Sequence, residues 1–535
     1  MKSSCKIFLA FSITALIFIG LGCQRTPGSQ VEKEAQTPQR PNIIFIMADD
    51  HAEKAISAYG HDLIQTPNID RIAKEGILFK NSFVTNSICA PSRATLLTGK
   101  FSHINGKRDN LDRFNGDQIT FPKLLQDAGY QTAVIGKWHL KSVPQGFDEW
   151  KILVGQGDYY QPEFVQNGDT STVKGYVTEV ITDFVLEYLT GREQDRPFCL
   201  LYHHKAPHRG WMPNTQDLDM FNGEDIPLPT SFYDEYNDRP AAREAEMKIA
   251  DMFLSSDMKL MPGYYDVENG KGGNDQFDAE ASWQKQYSRM TGQQRREWDQ
   301  HYLPINEAFK KANLSGKALA EWKFQRYMKD YLRCIKSVDD NVGRVLDYLD
   351  ESGLAENTLV VYTSDQGFYL GEHGWYDKRF MYEESLRTPL VMRYPQEIPA
   401  GTVSSDLVQN LDHASTFLDF AGVQPPGDMQ GRSLRPLMGS TDTADWRDAI
   451  YYHYYEYPRG WHKVKRHYGM RTERYKLIHF YNDIDHWELY DLQNDPNEMN
   501  NLYDHVEYRQ VQEELHLKLD TLRSTYGDTD PVATL

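Results

Sequence analysis

Residues 42–47 read as a continuous apolar run, the pattern of a strand buried on both faces, and the run ends abruptly in Ala48-Asp49-Asp50-His51. Three further β-type runs share this design. Residues 131–135 lead into Gly136-Lys137-Trp138-His139, residues 198–202 into His203-His204-Lys205-Ala206-Pro207-His208, and residues 358–363 into Ser364-Asp365-Gln366-Gly367. Segments with helical spacing lie between them, at 67–76, 119–129, 177–189 and 327–353. This alternation predicts an α/β fold with a mostly parallel central sheet flanked by helices. Open sheets of this kind bind ligands outside the carboxyl ends of their strands. Four strands that each end in ionisable or metal-binding side chains therefore define one shared rim, the expected site.

A chain of 535 residues exceeds one ordinary core. The expected organisation is a large domain at 41–440, with a polar, irregular insertion around 212–310 near the site mouth, and a smaller C-terminal subdomain at 441–535. In the latter, tyrosine-rich alternating runs at 449–455, 467–471, 476–481 and 488–490 predict an antiparallel sheet, followed by a helix at 506–526. Lys2 and Lys6 precede an apolar run at 7–21, which reads as an export signal over residues 1–22, shorter than the ~20 apolar residues a membrane span needs. Residues 23–40 read as a disordered tether. Cys23 is a candidate lipid anchor, although Gly20 stands where a lipobox has an aliphatic residue. The expected location is the periplasm or cell surface. A formal net charge of -19 excludes nonspecific nucleic-acid binding, which needs a basic field. Beyond Cys5 and Cys23 only Cys89, Cys199 and Cys334 remain, which does not support a disulfide framework.

Residues 87–99 carry the most chemistry: Ser-Ile-Cys-Ala-Pro-Ser-Arg-Ala-Thr-Leu-Leu-Thr-Gly. Pro91 suits a first helical turn and Gly99 an exit, so Cys89 is expected at a helix N-terminus, where free N–H groups favour an anion. Arg93, four residues on, can point back toward it. In isolation such a cysteine is a small core residue. The pattern Cys-x-Pro-Ser-Arg-x-x-x-Leu-Thr-Gly, however, resembles the signature of the type I sulfatases, of the alkaline-phosphatase-like superfamily. That resemblance implies that Cys89 is oxidised to formylglycine by a separate maturation enzyme. One oxygen of the hydrated aldehyde attacks sulfur, and the other hydroxyl collapses the sulfated intermediate by carbon–oxygen cleavage.

The same resemblance assigns roles across the rim. Asp49, Asp50, Asp365 and Gln366, with matured Cys89, would hold one calcium ion through hard oxygen ligands. Gln366 departs from the asparagine common in the family. Lys137 and Lys378 would bind sulfate oxygens, His139 belongs to the Gly-Lys-Trp-His element, and His208 would protonate the leaving oxygen, with His203 and His204 as rivals. The run from Ser364 through Trp375-Tyr376-Asp377-Lys378-Arg379 to Leu390 is similar to N-acetylglucosamine-6-sulfatases. It implies a sulfated glycan substrate and makes His373, Asp377 and Arg379 candidates for sugar contacts. Lys463, Lys465, Arg466 and His467 are candidates for further anionic sugar units. Other regiospecificity (4-O-, 3-O- or 2-O-sulfate), a formylglycine-dependent phosphodiesterase or phosphonate monoester hydrolase, and a silent glycan-binding relative are the alternatives.

Overall fold

The structure, a computed structural model, describes residues 40–266, 268, 270, 277–439 and 445–528. The expected export signal at 1–22, the tether up to residue 39 and the candidate lipid-carrying Cys23 lie outside the described residues. In chain order the strands of the main sheet are β1 (Asn42–Ala48), β2 (Ile77–Phe79), β3 (Gln131–Gly136), β4 (Glu149–Leu153), β5 (Glu163–Gln166), β6 (Asp169–Thr172), β7 (Phe198–His203), β8 (Thr358–Ser364), β9 (Leu390–Arg393) and β10 (Thr402–Ser404). Among the described residues they form one ten-stranded sheet in the order β10-β2-β9-β8-β1-β7-β3-β4-β5-β6. The central run β8-β1-β7-β3-β4 is parallel throughout, with Ile44 opposite both Leu200 and Val360. All four of the expected strand ends therefore emerge along one edge. Antiparallel pairs, β9 on β8 and β5 on β4, begin only outside this run.

The continuous apolar character of β1 follows from its two covered faces. Helices α1 (Pro67–Lys74), α2 (Cys89–Thr98), α3 (Phe121–Asp127), α4 (Val177–Gly191), α5 (Ala279–Arg289), α6 (Gly292–Ala312), α7 (Gly316–Glu351) and α8 (Asp412–Phe420) supply the layers. Ile44 and Ile46 join a core with residues of α1, α4 and α7, whereas Ile43, Phe45 and Met47 join a second core with α2, α3 and α8. A one-residue slip of β1 would exchange the two sets.

The stretch expected to be irregular at 212–310 is so only in its first part. From Ala279 it is helical, and Thr291 opens α6 with a capping box closed by Gln294. Buried Trp283, Trp298 and Tyr302 fasten α5 and α6, with ring centroids 4.2 Å apart for Trp298–Tyr302. α7 runs 36 residues and begins well before the expected start.

The C-terminal strands β11 (Ala449–Tyr454), β12 (His467–Thr472), β13 (Tyr475–Phe480) and β14 (His486–Asp491) form a separate antiparallel sheet, backed by α9 (Arg509–Tyr526) through Leu515 and Leu519. Its other face, through Tyr452, Ile478 and Phe480, shares a core with Trp375, Phe380, Met381 and Tyr382. The small sheet is thus the platform for the loop that carries Lys378. This packing corrects the expected basic patch. His467 is buried and its Nε2 accepts from Met381 N at 3.1 Å, Lys465 pairs with Glu244 at 3.0 Å and with Asp483, and Lys463 pairs with Glu246 at 2.7 Å. Arg466 Nε donates to Tyr455 O at 2.9 Å. Cys89, Cys199 and Cys334 are buried free thiols, and no described helix is long and apolar enough to cross a membrane.

Candidate active site

The turn after β1 is held at every amide. Asp49 N donates to Ala206 O at 3.3 Å, Asp50 N to Asp365 Oδ1 at 3.2 Å, His51 N to Ser364 Oγ at 2.8 Å and Ala52 N to Tyr331 Oη at 2.8 Å. The Tyr331 hydroxyl in turn donates to Asp50 O at 2.8 Å. These bonds let Asp50 keep a φ of 71°, a left-handed conformation that non-glycine residues avoid. His139 (57°), Asp377 (77°) and Arg379 (102°) share that conformation, so backbone strain collects around this rim.

Cys89 opens α2, as its spacing predicts, with Pro91 in the first turn and Gly99 closing the helix at φ 62°. Its Sγ lies 3.4 Å from Asp49 Oδ1. Burial pushes the thiol well above its ordinary range; Lys378 opposes this, and Asp49 adds to it. As a thiol the group is therefore a poor nucleophile. One turn on, Arg93 donates from Nε to Asp365 Oδ2 at 3.0 Å and from Nη1 to Lys137 O at 2.7 Å, which ties the helix to β3 and β8.

Carboxylates and cations alternate behind Cys89. Lys137 donates to Asp49 Oδ2, and Lys378 Nζ lies 2.7 and 2.8 Å from the two oxygens of Asp50. Burial alone would raise Asp49, but Lys137, His208, Arg93 and Lys378 outweigh it and hold the carboxyl well below its usual range. The other two fare differently. Burial, opposed by Lys378 and reinforced by Asp49, pushes Asp50 up to about 6; burial followed by Asp49 pushes Asp365 up to about 7. Oxygens of Asp49, Asp50 and Asp365 lie within 4.8 Å of one another, and the buried Oε1 of Gln366 has no hydrogen-bond partner among the described residues. Three crowded carboxylates and one orphaned amide oxygen fit a hard divalent cation, which would relieve their repulsion.

Of the three histidines after β7 only His208 lines the cavity above Cys89. His203 is buried with Nδ1 3.2 Å from Lys137 O, and His204 is buried against the Tyr202 ring at 4.3 Å. His208 directs Nδ1 at Arg209 O at 3.2 Å, a contact that needs a proton on Nδ1, and its Nε2 lies 3.9 Å from Asp50. Burial and then Lys137 hold the imidazole well below its ordinary range. His139 follows Lys137 with a buried Nδ1 that has no hydrogen-bond partner among the described residues; burial and Lys137 again keep it neutral.

The cavity measures about 600 Å³ and is lined by Cys89, His208, Asp377, Lys378 and Arg379 among others. Asp377 accepts from Lys378 N at 2.8 Å and from Arg379 Nη1, and His462 Nε2 lies 3.0 Å away. His373 is the exception among the expected sugar contacts. It is buried away from the cavity with Nδ1 2.7 Å from Asp234, enclosed by Tyr369, Trp375 and Tyr382. Its place is structural, because the chain turns inward there to stack Trp375 on Tyr236, Phe380 and Tyr382, of which Phe380 meets His467 and Phe480 of the small sheet. A somewhat larger hollow of about 690 Å³, lined by Lys54, Glu383, Arg387 and Arg471, contains none of the expected site residues.

Several cavity residues gave no signal in the sequence. Arg209 pairs with Asp257 through two 2.8 Å bonds and stacks near Trp461 and Tyr376. Tyr159 donates to His208 O at 2.6 Å. An Arg-Asp pair 48 residues apart and one tyrosine of the Tyr159-Tyr160 pair read as ordinary surface and core.

The sulfatase family model spans residues 41–423, and the model described as N-sulphoglucosamine sulphohydrolase, C-terminal, spans residues 371–525. An N-acetylglucosamine-6-O-sulfatase of Bacteroides thetaiotaomicron is 52% identical over 506 residues, 93% of this chain and 89% of the relative. An ulvan-active sulfatase of Formosa agariphila is 26% identical across 94% of this chain and 84% of its own. A solved structure, described as a complex with its substrate D-glucosamine-2-N,6-O-disulfate, superposes with a TM-score of 0.88 at 52% identity, over 93% of this chain and 100% of that one.

Proposed function

This chain belongs to the sulfatase family, enzymes that hydrolyse sulfuric esters, and from that premise we propose that it removes the 6-O-sulfate of N-acetylglucosamine or a related glucosamine in sulfated glycans. The observation that carries the reading is the meeting, in one cavity, of Cys89 at a helix N-terminus with the Asp377-Lys378-Arg379 loop, in a chain 52% identical to an N-acetylglucosamine-6-O-sulfatase.

Cys89 matured to formylglycine would supply an oxygen nucleophile for sulfur and a second hydroxyl for release of sulfate. Calcium, held by Asp49, Asp50, Asp365 and Gln366, would supply Lewis-acid stabilisation of the sulfate oxygens. The remaining work falls to the chain itself. Lys137 and Lys378 meet the ester from the two sides on which Asp49 and Asp50 hold them, where charge develops in the transition state. Arg93 fixes Asp365 and the backbone of Lys137 rather than the substrate. His208, with Nδ1 anchored, turns Nε2 to the cavity, and a bound anion opposes the two effects that keep it neutral, so it is placed to protonate the departing alcohol. Asp377 and Arg379 face the sugar. An exported protein acting on glycans outside the cytoplasm, matured by a formylglycine-generating enzyme, fits this chemistry.

The test is a screen of 6-O-, 4-O-, 3-O- and 2-O-sulfated N-acetylglucosamine and N-acetylgalactosamine, using protein whose residue 89 is verified as formylglycine by mass spectrometry. Sulfate release confined to the 6-O-sulfated glucosamines is expected. Release from another position would reassign the specificity, and release from none would refute the activity.

A further inference from the structure

One buried cation of the cavity lining has no carboxylate to answer it. Lys205 follows β7, is 4% exposed, and lines the same cavity as Cys89, His208 and Lys378. Its Nζ lies 4.6 Å over the Tyr159 ring, and among the described residues no carboxylate comes within ion-pair distance of it. The cations around the ester site are matched: Lys137 with Asp49, Lys378 with Asp50, Arg93 with Asp365, Arg379 with Asp377 and Arg209 with Asp257, while buried Lys107, outside the cavity lining, donates to the backbone carbonyl of Asp112. The cavity carboxylate Asp158 is itself held by Arg289 at 3.1 Å and by Gln286 at 2.6 Å. A buried, unmatched ammonium is expensive to maintain, all the more notable in a chain with a net charge of -19 that had carboxylates to spare.

Position decides what the charge is for. The transferring sulfate has its own cations in Lys137 and Lys378. Lys205 joins the cavity wall formed by Asp158, Tyr159 and His208, and Tyr159, whose ring it covers, donates its hydroxyl to His208 O. Its charge is therefore available to an anion of the glycan other than the ester that Lys137 and Lys378 already serve.

Resting on the function proposed above, we propose that Lys205 is a specificity-determining contact for a second anionic group of the glycan, a sulfate or carboxylate other than the one transferred. A charge-assisted contact of this kind discriminates by about tenfold or more between ligands that do and do not carry the second anion.

The experiment compares wild type, Lys205→Met and Lys205→Arg on N-acetylglucosamine-6-sulfate, glucosamine-2-N,6-O-disulfate, and 6-sulfated N-acetylglucosamine linked to a hexuronate. Lys205→Met should lose about tenfold more kcat/KM on at least one doubly charged substrate than on the monosulfate. The extra loss should lie in KM, and Lys205→Arg should recover most of it. Which doubly charged substrate responds tells sulfate from carboxylate. Equal losses on all three would move Lys205 to the transferring sulfate, and no loss on any of them would remove it from substrate recognition; either overturns the proposal. If the wild type releases no 6-sulfate, the activity assignment fails by itself. Calorimetric binding of the same three sugars to Cys89→Ala, with and without Lys205→Met, then decides the anion contact: a tenfold differential supports it and its absence overturns it.

Discussion

Tyr331→Phe removes one oxygen atom and leaves the rest of the ring in place, still stacked on Phe368 with centroids 5.6 Å apart. That oxygen accepts from Ala52 N and donates to Asp50 O, both at 2.8 Å, and all three residues are buried. Without it two buried backbone groups lose their partner, at about 1–3 kcal/mol each before relaxation. The cost falls on a turn that already keeps Asp50 at φ 71°. The expected relaxation is rotation of Asp50 out of that conformation, which swings one of the three clustered carboxylates away from the others. Partners that orient metal ligands typically contribute about 10–100-fold in metal affinity, and the same loss is expected here. The assay is calcium titration of chelator-treated wild type and variant by calorimetry, with initial rates measured across the same calcium range. The variant should need about 10–100-fold more calcium for half-maximal activity and should regain most of its turnover at saturation. Equal calcium affinity in the two proteins would refute the claim that Tyr331 holds the metal-binding turn.

Cys89→Ala should lower turnover to background while the protein folds, because only one small side chain is lost; near-wild-type sulfate release would exclude Cys89 as the nucleophile position. His208→Ala should cost about 10²–10⁴-fold on sugar sulfates and much less on activated aryl sulfates, whose leaving groups need no proton, as read from kcat on both substrate types. Gly136→Ala should fail to yield folded protein, since the new Cβ would lie 1.8 Å from His203 O at a φ of 109°; a wild-type melting profile would contradict the register of β3 on β7. Burial and then Lys137 lower Lys205 to about 8, against the pull of Asp49, Asp158 and Asp50. The KM of doubly charged substrates should therefore rise as pH climbs through about 8 and the ammonium is lost, and a flat KM ratio between the disulfate and the monosulfate across that range would argue against a charged contact.

The parallel core was legible because strands covered on both faces must be apolar throughout, and because their polar ends cannot remain inside. Asp49, Lys137 and Asp365 were visible for that reason, close behind runs that had little chemistry of their own, whereas His208 follows His203, His204 and Lys205 and only the cavity singles it out. Helices α5 and α6 were not. Their buried stripe consists of a few aromatics, Trp283, Trp298 and Tyr302, among many polar residues, and α6 contains Pro304, a residue that ordinarily argues against a helix. The Thr291–Gln294 capping box was the available signal. His373 misled because it lies between Glu372 and Lys378 in sequence, while packing against Trp375 and Tyr382 and the bond to Asp234 turned its ring inward. Tyr331 was out of reach for another reason. It stands 281 positions from Asp50, on a helix whose aromatics all read as core, and only the folded chain shows that its hydroxyl serves the turn after β1.

All ten residues of α2 are buried, and Cys89 itself is 1% exposed. A helix shut between a sheet and its covering layer cannot be drawn out as the extended peptide that a modifying enzyme would have to grip. If residue 89 is matured to formylglycine as proposed, that step must then precede closure of the core, during synthesis or transit. On that proposal folded protein that missed the interval would stay inert, so the fraction of active molecules would record a race in the producing cell.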